Sequence, residues 1–103
     1  MRITQVQRRA LIEQIRRSFG PAARVWLFGS RADDRRRGGD VDIYVEAVGP
    51  AVEGRLDAEI ATGIALQDLF DGLKVDLVVR YGGEAERPIH AIAKNTGVLL
   101  DER

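Results

Sequence analysis

The chain has no cysteine, which excludes a disulfide framework, a zinc–thiolate site and a cysteine nucleophile. It has one histidine, His90, which therefore has no histidine partner. No apolar run reaches membrane-spanning length, and the first residues lack the long apolar region of a secretory signal. A soluble cytoplasmic protein with no membrane segment is the expectation. There is also no excess of either charge: 16 Lys plus Arg balance 16 Asp plus Glu. A general nucleic-acid binder would carry a basic surplus, so that class is not expected. With 103 residues, the chain predicts one domain over 1–103 with a modest core. So small a domain leaves room for a partner to supply part of any cleft.

What is present is patterned. Thr4 predicts an N-cap, followed by a helix to about Ser18. Leu11, Ile12, Ile15 and Phe19 fall on one arc of a 3.6-residue period, and Gly20-Pro21 stops it. Arg8 reaches towards that arc, its stem packing and its head snorkelling. Val25 to Phe28 is short, apolar and bounded by turn residues, which predicts a central strand buried on both faces. Val41 to Ala47 alternates, with Val41, Ile43 and Val45 one way and Asp40, Asp42, Tyr44 and Glu46 the other.

Residues 51 to about 71 predict a helix with Leu56, Ile60, Ile64 and Phe70 on a broad face. Ala61, Ala65 and Leu69 form a narrower strip opposite. Leu73 to Val79 predicts a third strand interrupted by Asp76. Pro88 opens a last helix to about Thr96, and Val98-Leu99-Leu100 adds a strand or covers a sheet edge. The order is helix, strand, strand, helix, strand, helix. It predicts an α+β fold: a small mixed β-sheet of three or more strands with helices packed on one face.

The chemistry concentrates between Val25 and Glu46. Asp40 and Asp42 are two apart on a strand, so both carboxylates leave one face, about 7 Å apart along the chain. Acids that close repel, and a divalent cation relieves the repulsion. Hard oxygen ligands suit Mg²⁺. If the third strand lies beside the Asp-x-Asp strand, Asp76 completes a three-acid cluster. Such a cluster suffices for two ions about 3.5–4 Å apart.

Gly29-Ser30 just past a strand end offers backbone N–H groups and a hydroxyl, an anion cradle. Gly29 lets the backbone approach a phosphate closely. Arg31, Arg36 and Arg37 can neutralise a triphosphate or a leaving pyrophosphate. Nucleotidyl transfer needs mainly positioning and charge stabilisation. Taken singly, a Gly-Ser turn, a solvated Asp pair or an arginine loop has a plain structural explanation; the ordered combination is what points to a site.

Gly29-Ser30, nine residues, Asp40-Val41-Asp42 and a later strand-borne Asp76 resemble the signature of the DNA polymerase β-type nucleotidyltransferase superfamily. The short length resembles its minimal nucleotidyltransferase (MNT) branch. The resemblance implies that Asp40, Asp42 and Asp76 are catalytic and hold metal, Asp76 also acting as base towards the acceptor. It implies that Gly29, Ser30 and Arg31 bind the nucleotide phosphates, that Mg²⁺ (two ions) is the cofactor and that ATP is the substrate. Gly39 departs from the Ser that many members carry there, and the loop is one residue shorter than in many relatives.

The branch further implies a HEPN-type helical partner, onto whose tyrosine AMP is transferred in an antitoxin role, within a homo- or hetero-oligomer. Two alternatives stand beside it. One is a non-catalytic subunit that neutralises a partner by docking. The other is a small-molecule nucleotidyltransferase of aminoglycoside-modifying type with a separate helical subunit. Ala61, Ala65 and Leu69 are the expected partner contact. His90 is expected at the surface or at a helix end, Tyr81 in packing, and Glu46 as a base ranked below Asp76.

Overall fold

A computed structural model describes residues 3–29 and 41–100. The elements run α1 (Gln5–Phe19), β1 (Arg24–Phe28), β2 (Val41–Glu46), α2 (Arg55–Leu69), β3 (Val75–Arg80), α3 (Pro88–Thr96) and β4 (Val98–Leu100). The strands form one mixed sheet in the order β3-β2-β1-β4. β1 pairs antiparallel with β2 and with β4, while β2 and β3 are parallel. The parallel pair is joined through α2, as a crossover requires.

α1 begins where the sequence places it. Thr4 accepts from the Gln7 backbone N–H at 3.0 Å, and the Gln7 side chain accepts from the Thr4 N–H at 3.0 Å. Two orphan donors of the first turn are thereby satisfied. Leu11, Ile12 and Ile15 then face the sheet, fully buried.

The two central strands explain the apolar runs. Val25 and Leu27 of β1, with Val41, Ile43 and Val45 of β2, join α1 and the α2 residues Leu66 and Phe70 in the main core. Trp26 and Phe28, with Tyr44, point the other way and pack with Ala93 of α3. The α+β class and the mixed sheet stand, but the helices do not all lie on one face. α1 and α2 cover one side and α3 the other, because β1 and β2 carry large apolar side chains on both. Gly97, between α3 and β4, permits this closure: a Cβ there would stand 2.9 Å from the Leu27 carbonyl oxygen.

α2 is the second difference. The sequence leaves two apolar strips on it, yet the residues that reach the core are Thr62 and Leu66, with Leu69 packed alongside. Thr62's hydroxyl donates to the Ala58 carbonyl at 2.7 Å and lies 2.9 Å from the Ser18 hydroxyl, linking α2 to α1. Leu56, Ile60 and Ile64 are left more than half exposed. The helix also starts at Arg55 rather than 51, and β3 at Val75 rather than Leu73.

Candidate active site

The site is set by strand register. β1 ends at Phe28, which stands opposite Asp42 in the antiparallel ladder. Asp42 stands opposite Asp76 in the parallel ladder. Residues in register on neighbouring strands point to the same face, with strands about 4.8 Å apart. Asp42 and Asp76 are therefore adjacent acids on one face, at the end of the sheet where β1 finishes.

Gly29 follows Phe28 with φ +72°, in the left-handed region that favours glycine. A Cβ there would stand 2.9 Å from Cγ of Asp42. The glycine turn and the acid thus touch. Asp76 also has a contact with Lys74, Nζ to Oδ1 3.6 Å, both side chains well exposed. Such a pair is weak, and it leaves Asp76 on the Asp42 face.

Of the six predicted site residues, the structure brings together Gly29, Asp42 and Asp76. Ser30, Arg31 and Asp40 lie outside the described residues, as do Arg36, Arg37 and Gly39. Among the described residues no group of three or more His, Cys, Asp or Glu could hold a metal ion; the expected third acid, Asp40, is not one of them. The donors that are described fit a hard divalent ion: two carboxylates side by side, against a turn whose missing side chain leaves the carboxylate its space.

Farther along the same face the polar residues have another occupation. Tyr44 is fully buried and donates to Glu46 at 2.7 Å. Lys94 lies 3.3 Å and Arg80 3.6 Å from the same carboxylate, and both also pair with Glu86. Burial pushes Glu46 towards protonation, but Tyr44, Lys94 and Arg80 outweigh it and hold the carboxyl below its ordinary value. Burial, then Glu46, push the Tyr44 phenol up. Glu46 is consequently a tie between β2, β3 and α3. It sits four residues beyond Asp42, about 13 Å along the strand, and not in a base's position.

His90 is a helix-end residue, though not a surface one. It is 2% exposed, its ring stacks on Tyr44 with centroids 5.2 Å apart, and Nδ1 accepts the Arg87 backbone N–H at 3.0 Å. That assigns the neutral ring's proton to Nε2, which is buried without a hydrogen-bond partner among the described residues. Burial, then Arg87 and Arg80, depress its basicity. Tyr81 packs, as expected: it is buried and donates to Glu59 at 2.7 Å. The Trp26–Tyr44–His90 stack and the Glu46–Arg80–Glu86–Lys94 cluster escape sequence reasoning, because no spacing rule links residues this far apart in the chain. A hollow of about 630 Å³ beside β3 is lined by residues such as Arg55, Glu59, Arg87 and His90; neither Gly29, Asp42 nor Asp76 borders it.

Adjacent acids at a strand end, set against a glycine turn in a small mixed sheet, suit the class of domains that transfer phosphate-bearing groups. The chain belongs to the nucleotidyltransferase domain family, whose model matches residues 8–99. Among curated protein sequences no match is found.

Solved structures share the fold. The complex of tri-AMPylated Shewanella oneidensis HEPN toxin with MNT antitoxin matches at 22% identity and a TM-score of 0.69, over 98% of this chain and 74% of that one. A toxin–antitoxin structure with AMP-PNP matches at 20% identity and TM-score 0.73, over 98% and 75%. A double Asp-to-Glu mutant of the toxin–antitoxin MntA–HpeT matches at 20% identity and TM-score 0.72, over 93% and 73%.

Proposed function

We propose that the chain is a Mg²⁺-dependent adenylyltransferase whose acceptor is a hydroxyl, a tyrosine, on a separate HEPN-type helical protein, which it neutralises as an antitoxin. The observation that carries this reading is the direct register of Asp42 with Asp76 beside the Gly29 turn, in a chain of the nucleotidyltransferase family. The likeness to a complex of MNT antitoxin with AMPylated HEPN toxin, and to a toxin–antitoxin holding AMP-PNP, supports the choice of nucleotide and partner. The mutated aspartates of the third complex are two residues apart, the spacing of Asp40 and Asp42.

Asp42 and Asp76, with Asp40, would hold Mg²⁺, which supplies charge stabilisation for the transferring phosphate. The chain's own groups do the rest. Gly29 and Ser30 would bind the phosphates and Arg31 would neutralise them, the roles the sequence gives these residues. Asp76 takes the acceptor's hydroxyl proton. The acceptor oxygen bonds to the α-phosphorus, the bond from that phosphorus to the bridging oxygen breaks, and pyrophosphate leaves.

The test is intact-mass analysis of a HEPN-type partner after incubation with the chain, ATP and Mg²⁺. A gain of one or more AMP units, absent with Asp42→Asn, is the expected result. No gain, with the partner still neutralised, would establish neutralisation by docking alone.

A further inference from the structure

α2 turns much of its apolar surface outward. Leu56, Ile60 and Ile64 are 66%, 55% and 58% exposed, and Val52, just ahead of the helix, is 67% exposed. The four-residue spacing of the three helical residues aligns them as one ridge. Together these side chains show roughly 400 Å² of apolar surface, as much as the largest patch of a typical monomer. That is about half of the ~800 Å² that each partner buries in a standard interface.

Gly63 lies in the same stripe, and among the described residues nothing beyond its own helix backbone and chain neighbours comes within 4 Å of where its Cβ would be, so a second backbone can come close. The stripe continues across a hollow of about 330 Å³ to Val75 and Leu77 of β3. Val75 and Leu77 lie on the α2 side of β3, the strand at the edge of the sheet, so the stripe runs along the edge strand whose Asp76 points to the other face.

The rim of the stripe is acidic. Between 53 and 71 the chain carries Glu53, Asp57, Glu59, Asp68 and Asp71 against one base, Arg55, and Arg55 is paired to Glu84 at 3.1 Å. At 100° per residue, Asp57 and Asp68 flank the ridge on one side and Glu59 on the other. A second copy of this chain would set that rim against itself. A complementary partner brings bases.

We infer that this face docks a helix of another protein, one with an apolar ridge between lysine- or arginine-bearing flanks. That the docked protein is also the acceptor rests on the adenylyltransferase reading; the docking itself needs no nucleotide. The surface is not the one the sequence suggests. Leu69 packs against the core, so Ala61, Ala65 and Leu69 do not form a free strip.

The test uses the full chain and two labelled helical peptides of roughly 18 residues. Both have leucines at helical spacing; one carries lysine at the other positions, the other glutamate. Fluorescence anisotropy should show the lysine peptide saturating at one per chain and the glutamate peptide not binding. Ile60→Ser or Leu56→Ser should weaken binding by at least about tenfold, as should Asp57→Lys combined with Asp68→Lys. Unchanged binding in these variants, or equal binding of both peptides, would overturn the proposal. So would a dimer of the chain alone that Ile60→Ser dissolves in sedimentation velocity, since the occupant would then be a second copy.

AMP-PNP binding with Mg²⁺, measured on the same samples, separates this from the catalytic reading. Nucleotide bound without peptide refutes docking alone. Peptide bound without nucleotide refutes catalysis alone.

Discussion

Gly29 and Asp42 exclude each other's growth. The position a Cβ would take on Gly29 lies against the carboxylate of Asp42, 2.9 Å from its Cγ, and the backbone there has φ +72°. An L side chain at such a φ costs roughly 1–2 kcal/mol, and here it must also displace an acid. Gly29→Ala is therefore expected to shift the melting temperature modestly and to weaken AMP-PNP binding by about tenfold or more. Isothermal titration and a thermal melt on the same sample check both. Wild-type affinity in this variant would show that the turn does not set the acid's position.

Asp42 and Asp76 give the second prediction. Their carboxylates are neighbours on adjacent strands, and both belong to the acid set proposed to hold the metal. With Asp42→Asn, transfer should fall by at least about a hundredfold while the chain still folds. Asp76→Asn should behave alike, since its contact with Lys74 is exposed and such pairs contribute only about 0–1 kcal/mol. Thermal melts in chelator, set beside transfer assays in Mg²⁺, separate loss of transfer from loss of fold.

The third concerns pH. His90 is buried and its basicity is depressed, first by burial and then by Arg87 and Arg80. The folded state therefore binds its proton less readily than the unfolded chain does. Stability from the neutral ring is fully present above the ordinary histidine value of about 6.5 and is lost as pH falls below it, by at most about 1.4 kcal/mol per pH unit. The chain has one histidine, so this window belongs to it; Glu46 and its neighbours contribute at lower pH. His90→Gln keeps an acceptor for the Arg87 N–H and should flatten the slope between about pH 6.5 and 5. An unchanged slope in urea melts across that range would sink the assignment.

The fourth contrasts two positions on one helix. Leu66 is fully buried and Ile60 is 55% exposed. Leu66→Ala should cost about 2–5 kcal/mol, whereas Ile60→Ala should stay within about 0.5 kcal/mol. Denaturant unfolding of both gives the answer, and comparable losses would place Ile60 in the core.

The sequence made some of this legible for identifiable reasons. α1 announces itself through Thr4, Gln7 and one apolar arc. The adjacency of Asp42 and Asp76 follows from two strands joined by one helix, a connection that favours parallel neighbours. α2 was harder, because periodicity counts apolar residues and cannot know that Thr62 has Ser18 as a partner. With that hydroxyl satisfied, the helix turns Thr62 and Leu66 inward and Ile60 outward. The placement of α3 was implicit in Val25 to Phe28: a strand apolar on both faces needs cover on both. His90 alone could not reveal its depth, since its burial depends on Tyr44, which is distant in sequence. Ser30, Arg31 and Asp40 lie outside the described residues, so the sequence remains the source of their roles.

The chain holds one tryptophan, and Trp26 sits 6% exposed between the sheet and α3, with the Tyr44 ring 5.2 Å away. Its emission is consequently an unlabelled spectroscopic gauge of whether α3 is seated. Detachment of that helix would wet the indole and redden its fluorescence even while α1 and the opposite half of the sheet stayed folded, so a single wavelength scan can distinguish loss of one layer from loss of the whole.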